Sequence, residues 1–175
     1  LPRARSPIPD QAQGAAVEKF LGGFGMGSPT AIKPEMYGCC SANGSIGLYY
    51  AWEGITRFSE GVATVNLFLN RASSWMDVDS YLPYEGKVEL HNKKAKMALV
   101  RIPNWLEMDE VKSYVNGTAV HPSRSSGYLI FDSLQKGATV RLEFPIPEKT
   151  DEYTIAGYHY QVTPRGSTVL DLRPR

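Results

Sequence analysis

Cysteine is nearly absent from this chain of 175 residues: there are two, and they are adjacent, Cys39-Cys40. A disulfide framework is excluded on that count. Consecutive Cα atoms lie about 3.8 Å apart across a trans peptide, short of the roughly 4.4–6.8 Å that an unstrained disulfide spans. A bridge between the two would also close no useful loop. Charge of one sign is lacking too, since 19 Lys+Arg stand against 18 Asp+Glu for a net charge of +1, which argues against an electrostatic nucleic-acid binder. No apolar run approaches the roughly 18 residues of a membrane span. The opening Leu1 to Asp10 has arginines and prolines but no apolar signal-peptide core. Neither a membrane segment nor a signal peptide is expected, and Leu rather than Met at position 1 leaves open a processed end or the interior of a longer protein.

What is present is an ordinary globular mixture, 42% hydrophobic and 21% charged, able to bury a sizeable core. Residues 1–14 carry Pro, Arg and Gln without periodicity and read as a flexible lead-in. A glycine-rich stretch, Gly22 to Gly38, lacks the preceding strand and the Lys-Ser/Thr-led helix of a phosphate loop, so it reads as an ordinary loop. Leu48, Tyr49, Trp52 and Ile55 recur at the spacing of one helical face, and Asn43 or Ser45 can cap it. This predicts a helix over about 45–58, with the cysteines just before its N-terminus. There the helix dipole and free N–H groups favour a thiolate. Two readings of the pair stay open: free buried thiols, or thiolates serving a metal or a reaction.

From Gly61 the period changes to two. Strands are predicted over 62–70, 74–80, 87–91, 97–102, 111–115, 118–120, 128–131, 138–144, 158–163 and 167–172. Turn residues separate them, and Asn116-Gly117 is the strongest hairpin signal. The fold class is mainly β: an antiparallel β-sandwich preceded by a short helical segment.

The polar residues are less telling. His91, His121 and His159 lack metal-ligand spacing and read as surface histidines. Asp77 and Asp79 share a strand face; such a pair can serve glycoside hydrolysis, but the solvated face of an edge strand is the plainer account. Trp75 and Trp105 fit either a sugar-stacking surface or sandwich core. The glycosylation sequons at Asn43 and Asn116 are read as a helix cap and a turn.

Taken in order, Gly38-Cys39-Cys40-Ser41-Ala42-Asn43-Gly44, Gly47-Leu48-Tyr49-Tyr50-Ala51-Trp52-Glu53, Val65-Asn66-Leu67, Arg101-Ile102-Pro103-Asn104-Trp105 and Val115-Asn116-Gly117 resemble one family. It is the β-L-arabinofuranosidase-like glycoside hydrolases of family 127, formerly a domain of unknown function. The resemblance runs from about Val17 to Leu172, and the double cysteine is its most specific element.

The resemblance implies that 15–60 is the end of a catalytic (α/α)6 barrel, 61–148 a β-sandwich, and 149–175 the start of, or link to, a second sandwich. It implies that Cys39 is the nucleophile of a retaining mechanism and a zinc ligand, and that Cys40 is a further zinc ligand. The remaining ligands, a Glu and a Cys, and a glutamic acid/base belong to upstream barrel segments that no position here matches. The zinc site is therefore incomplete in this chain, and the chain alone is expected to be inactive. Ile46 stands where several members have arginine, which implies altered sugar recognition.

The partners so implied are a carbohydrate substrate, taken through the parent enzyme, and the upstream helical barrel. Two rival readings are a non-catalytic carbohydrate-binding sandwich using Trp75 or Trp105, and a structural sandwich that packs on the barrel and mediates homodimerisation. No nucleic acid and no membrane are expected. Thiols kept for zinc suit a reducing cytoplasm.

Overall fold

A computed structural model describes residues 38–155 and 157–173. The expected lead-in and most of the glycine-rich loop lie outside them. The described chain divides into a helix, α1 (Gly38–Glu53), in one compact unit and, from Glu53 onward, an all-β unit.

The helix differs from its prediction at both ends. It starts seven residues earlier than Ser45, and it stops before Gly54. Thr56 and Phe58, β-branched and aromatic, go instead into strand β1 (Thr56–Ser59), which pairs with β2 (Val62–Val65) through Thr56↔Val65 and Ser59↔Val62. Ile55 and Thr56 are both buried, so sheet burial outweighs the helical spacing in which Ile55 took part. The face expected to be buried is open: Leu48 is 63% and Trp52 50% exposed.

Among the described residues eleven further strands follow, and the thirteen form three sheets. In the first sheet, order β1-β2-β5-β9-β8, the added strands are β5 (Met97–Arg101), β8 (Ser123–Ser125) and β9 (Tyr128–Phe131). In the second, order β3-β4-β10-β6-β7, they are β3 (Met76–Ser80), β4 (Lys87–Asn92), β6 (Lys112–Val115), β7 (Thr118–Val120) and β10 (Thr139–Glu143). The third sheet, β11-β12-β13, comprises Asp151–Ile155, Tyr158–Arg165 and Thr168–Arg173. Pairing is antiparallel throughout with one exception, β2 against β5, which run parallel. The expected antiparallel sandwich is present, and this one parallel pair arises because β2 leads into sheet two before the chain returns at β5.

Alternation does what the sequence pattern requires. Val65, Val78, Leu90, Val100, Leu129 and Val140 point inward and join one core drawn from both five-stranded sheets. Two-residue hairpins at Glu60-Gly61, Asn116-Gly117 and Ser126-Gly127 have positive φ at both positions, as type I′ turns need. Gly86 is glycine for a steric reason: a Cβ there would lie 1.7 Å from the Phe144 carbonyl oxygen.

The two sheets are tied by one buried polar residue. β4 in sheet two passes to β5 in sheet one through residues 93–96, and β9 passes back to β10 through residues 132–138. Asn92, at the end of β4 and 3% exposed, serves both crossings. Its side-chain Nδ2 donates to the carbonyls of Ala95 and Gln135, each at 2.8 Å, while Oδ1 accepts from the Ala95 N–H at 2.8 Å. Its backbone N–H donates to Ala138 O at 2.9 Å and its carbonyl accepts from Gly137 N at 2.8 Å. Every polar group of this buried amide except one lone pair is thus satisfied.

Asn92→Ala leaves one N–H and two carbonyls unpaired in the core and should cost about 3 kcal/mol or more in urea unfolding. Asn92→Asp should be destabilising as well, because an oxygen then faces two carbonyls.

Candidate functional site

Cys39 and Cys40 lie within the first turn of α1, not before it as expected. The leading N–H groups of a helix have no partner inside it, and the macrodipole is positive there, so the backbone setting that favours a thiolate is kept. Asn43 is also inside the helix rather than at its cap. Among the described residues no group of three His, Cys, Asp or Glu is placed to hold a metal ion.

The segment joining helix to sheet is held by Asn66, from the Val65-Asn66-Leu67 motif. Its Nδ2 donates to Gly54 O at 2.9 Å, its backbone N–H donates to Ile55 O at 2.8 Å, and Oδ1 accepts from the Tyr128 hydroxyl at 3.4 Å. The same residue borders a cleft of about 490 Å³, lined also by Leu69, Arg101, Trp105, Arg165 and Ser167. Two motifs far apart in sequence, Val65-Asn66-Leu67 and Arg101-Ile102-Pro103-Asn104-Trp105, therefore meet at one surface. Arg165 and Ser167 join them from the third sheet, which packs onto the sandwich where Gly166 N donates to Pro147 O at 3.0 Å. Sequence reading singled out neither: the strand predicted over 158–163 in fact runs on to Arg165.

The tryptophans differ. Trp75 stacks on Phe58 at 5.9 Å and donates its indole N–H to Thr56 Oγ1 at 3.1 Å, the packing of a sandwich margin. Trp105 packs edge-on to Phe144 at 6.0 Å, donates to Ser167 Oγ at 2.7 Å and borders the cleft.

Asp77 and Asp79 behave as an edge-strand face. Asp77 Oδ1 accepts from Lys93 Nζ at 2.6 Å and from the Ser73 N–H at 2.9 Å, and Asp79 Oδ2 lies 3.0 Å from His91 Nε2. The Lys93 hydrogen bond holds the Asp77 carboxyl below its ordinary range; desolvation opposes this, and the Ser73 N–H and the charges of Lys93 and His91 add to it. Lys93 also donates to Ser73 O at 2.7 Å, so the cluster pins the 73–77 turn to the end of β4. His159 contacts Thr154 Oγ1 at 3.0 Å and His121 is exposed, so the histidines have the surface roles expected of them.

A carboxyl with a depressed folded pKa contributes stability above its unfolded value of about 3.9 and loses it as pH falls through the lower folded value. Because Lys93 is half-exposed, Asp77→Asn should cost no more than about 1 kcal/mol at pH 7. In urea melts the gap between variant and wild type should narrow as pH falls below about 3.9.

No family model matches the chain, and no curated protein matches it. Solved structures do. A GH127 β-L-arabinofuranosidase from Geobacillus stearothermophilus T6 is 21% identical with a TM-score of 0.55 over 75% of this chain and 23% of that one. A structure described as a glycoside hydrolase is 22% identical with a TM-score of 0.60, covering 75% of this chain and 25% of its own. A GH127 β-arabinofuranosidase is 18% identical with a TM-score of 0.62, over 78% and 26% respectively. The chain spans about a quarter of the length of these structures and shares the fold of that portion of a GH127 glycoside hydrolase.

Proposed function

We propose that this chain is the C-terminal portion of a zinc-thiolate retaining glycoside hydrolase acting on L-arabinofuranosides or related sugars. The observation that carries the reading is the fold shared with the GH127 structures, together with a Cys-Cys pair in the first turn of the helix that leads into it. Adjacent thiolates are soft donors of the kind zinc takes, and two of them make half of a tetrahedral set. The donor chemistry of Cys39 and Cys40 therefore fits zinc, and the other half belongs to the rest of the protein. When bound, zinc would keep the coordinating thiols deprotonated near neutral pH.

In this reading the Cys39 sulfur attacks the anomeric carbon as the bond to the leaving-group oxygen breaks. That oxygen takes a proton from an acid in the upstream part of the protein. Water, deprotonated by the same group, then displaces the sulfur from the sugar, so that two inversions give retention and the thiolate is restored. The helix N-terminus supports the anionic sulfur in both resting and regenerated states. Cys40 holds its position beside it as a ligand. Within the sandwich, Asn66 fixes the first residues after the helix through its bonds to Gly54 and Ile55.

The test uses the full-length protein, with zinc per chain and turnover of aryl L-arabinofuranosides measured beside Cys39→Ser. The variant should lose at least about 10³-fold in kcat with an unchanged circular dichroism spectrum, and should bind less zinc. The 175-residue chain assayed alone should show no turnover. Full activity and zinc content in Cys39→Ser would reject the cysteine role.

A further inference from the structure

The cleft bordered by Arg101, Trp105 and Arg165 has a charge pattern that neither the core nor the cysteine chemistry explains. Arg57, Arg124, Arg141 and Arg173 each face a carboxylate. Arg101 and Arg165 make no ion pair among the described residues, although Glu148 stands opposite Arg165 across an isolated β-bridge, and no Asp or Glu lines the cleft they share. Two guanidinium groups that border one largely apolar cleft without a counter-ion there can each take a carboxylate by charge-assisted, fork-shaped hydrogen bonds.

The wall beside them is fixed in advance. The Trp105 indole is tethered through Ser167, meets Phe144 on one side, and lies so close to Gly166 that a Cβ there would come within 3.1 Å of its ring. An aromatic held this way pays little entropy on binding. Asn104, exposed and with its amide unpartnered, borders the same space. A rigid indole, a free amide and two free guanidinium groups form a site for a ring that has an apolar face, hydroxyls and a carboxylate.

We propose that this cleft is an accessory binding site for an acidic saccharide, a sugar whose ring carries a carboxylate. The choice of a sugar over other carboxylates rests on the reading of the chain as part of a glycoside hydrolase. The anion preference rests on the arginines alone. Binding there needs no turnover.

Calorimetric titration of the full chain with tri-galacturonate, with the neutral tri-galactose of the same linkage and with tri-glutamate tests it. Tri-galacturonate should bind saturably, and at least about tenfold more tightly than either control. Arg101→Gln and Arg165→Gln should each weaken it at least about tenfold, Trp105→Phe should weaken it with the fold kept, and Cys39→Ser should leave it unchanged. No binding of tri-galacturonate, or tri-glutamate bound as tightly, overturns the proposal. Equal binding of the neutral sugar overturns the acid selectivity while leaving the carbohydrate reading intact, and that reading is decided separately by turnover of the full-length protein.

Discussion

One buried amide, Asn92, sets the relation between the two five-stranded sheets. The chain crosses from sheet two to sheet one after β4 and returns after β9, and both crossings are bonded to the same side chain. Crossing loops must bring backbone N–H and C=O groups close to the core, where an unpaired group is costly. A residue with two donors and an acceptor on one short arm meets that demand where an apolar residue would leave it unmet. The hydrophobic core supplies the driving force, and Asn92 specifies which loops close over it. Leu134 N donating to Lys96 O at 2.9 Å adds a direct bond between the two loops.

From this frame follows the division of labour on the surface. The outer face of sheet two spends its charges on itself: Asp77 with Lys93, Asp79 with His91, and Tyr81 Oη donating to Glu89 at 3.0 Å. No carboxylate pair is left for acid/base work there. The two arginines of the cleft, by contrast, make no ion pair among the described residues. Asn66 links the cleft to the junction between helix and sheet, because it borders the first and bonds the second.

The strands were legible because alternation is local: Thr118–Val120 and Tyr128–Phe131 fall where the pattern put them, and Asn116-Gly117 turns as its φ requirement demands. β1 was hidden because Ile55 continues a helical spacing, and only pairing with β2 reveals its true setting. β8, Ser-Arg-Ser, has no apolar face to read, since all three residues are exposed. The parallel match of β2 with β5 and the role of Asn92 are products of the crossover, which no local window contains. The candidate cysteines stood out by their rarity. The cleft did not, because Arg101 and Arg165 are ordinary surface residues until the third sheet folds back and both come to line one cleft.

The central claim is that a cysteine thiolate at the start of α1 attacks the sugar. Acid-quenching the full-length protein during turnover of a slow aryl L-arabinofuranoside, followed by peptide mapping by mass spectrometry, tests it most directly. The account predicts a pentosyl adduct on the sulfur of Cys39, which chases away on addition of fresh buffer at the rate of turnover. A kinetically competent adduct on a carboxylate, or on Cys40, would contradict it.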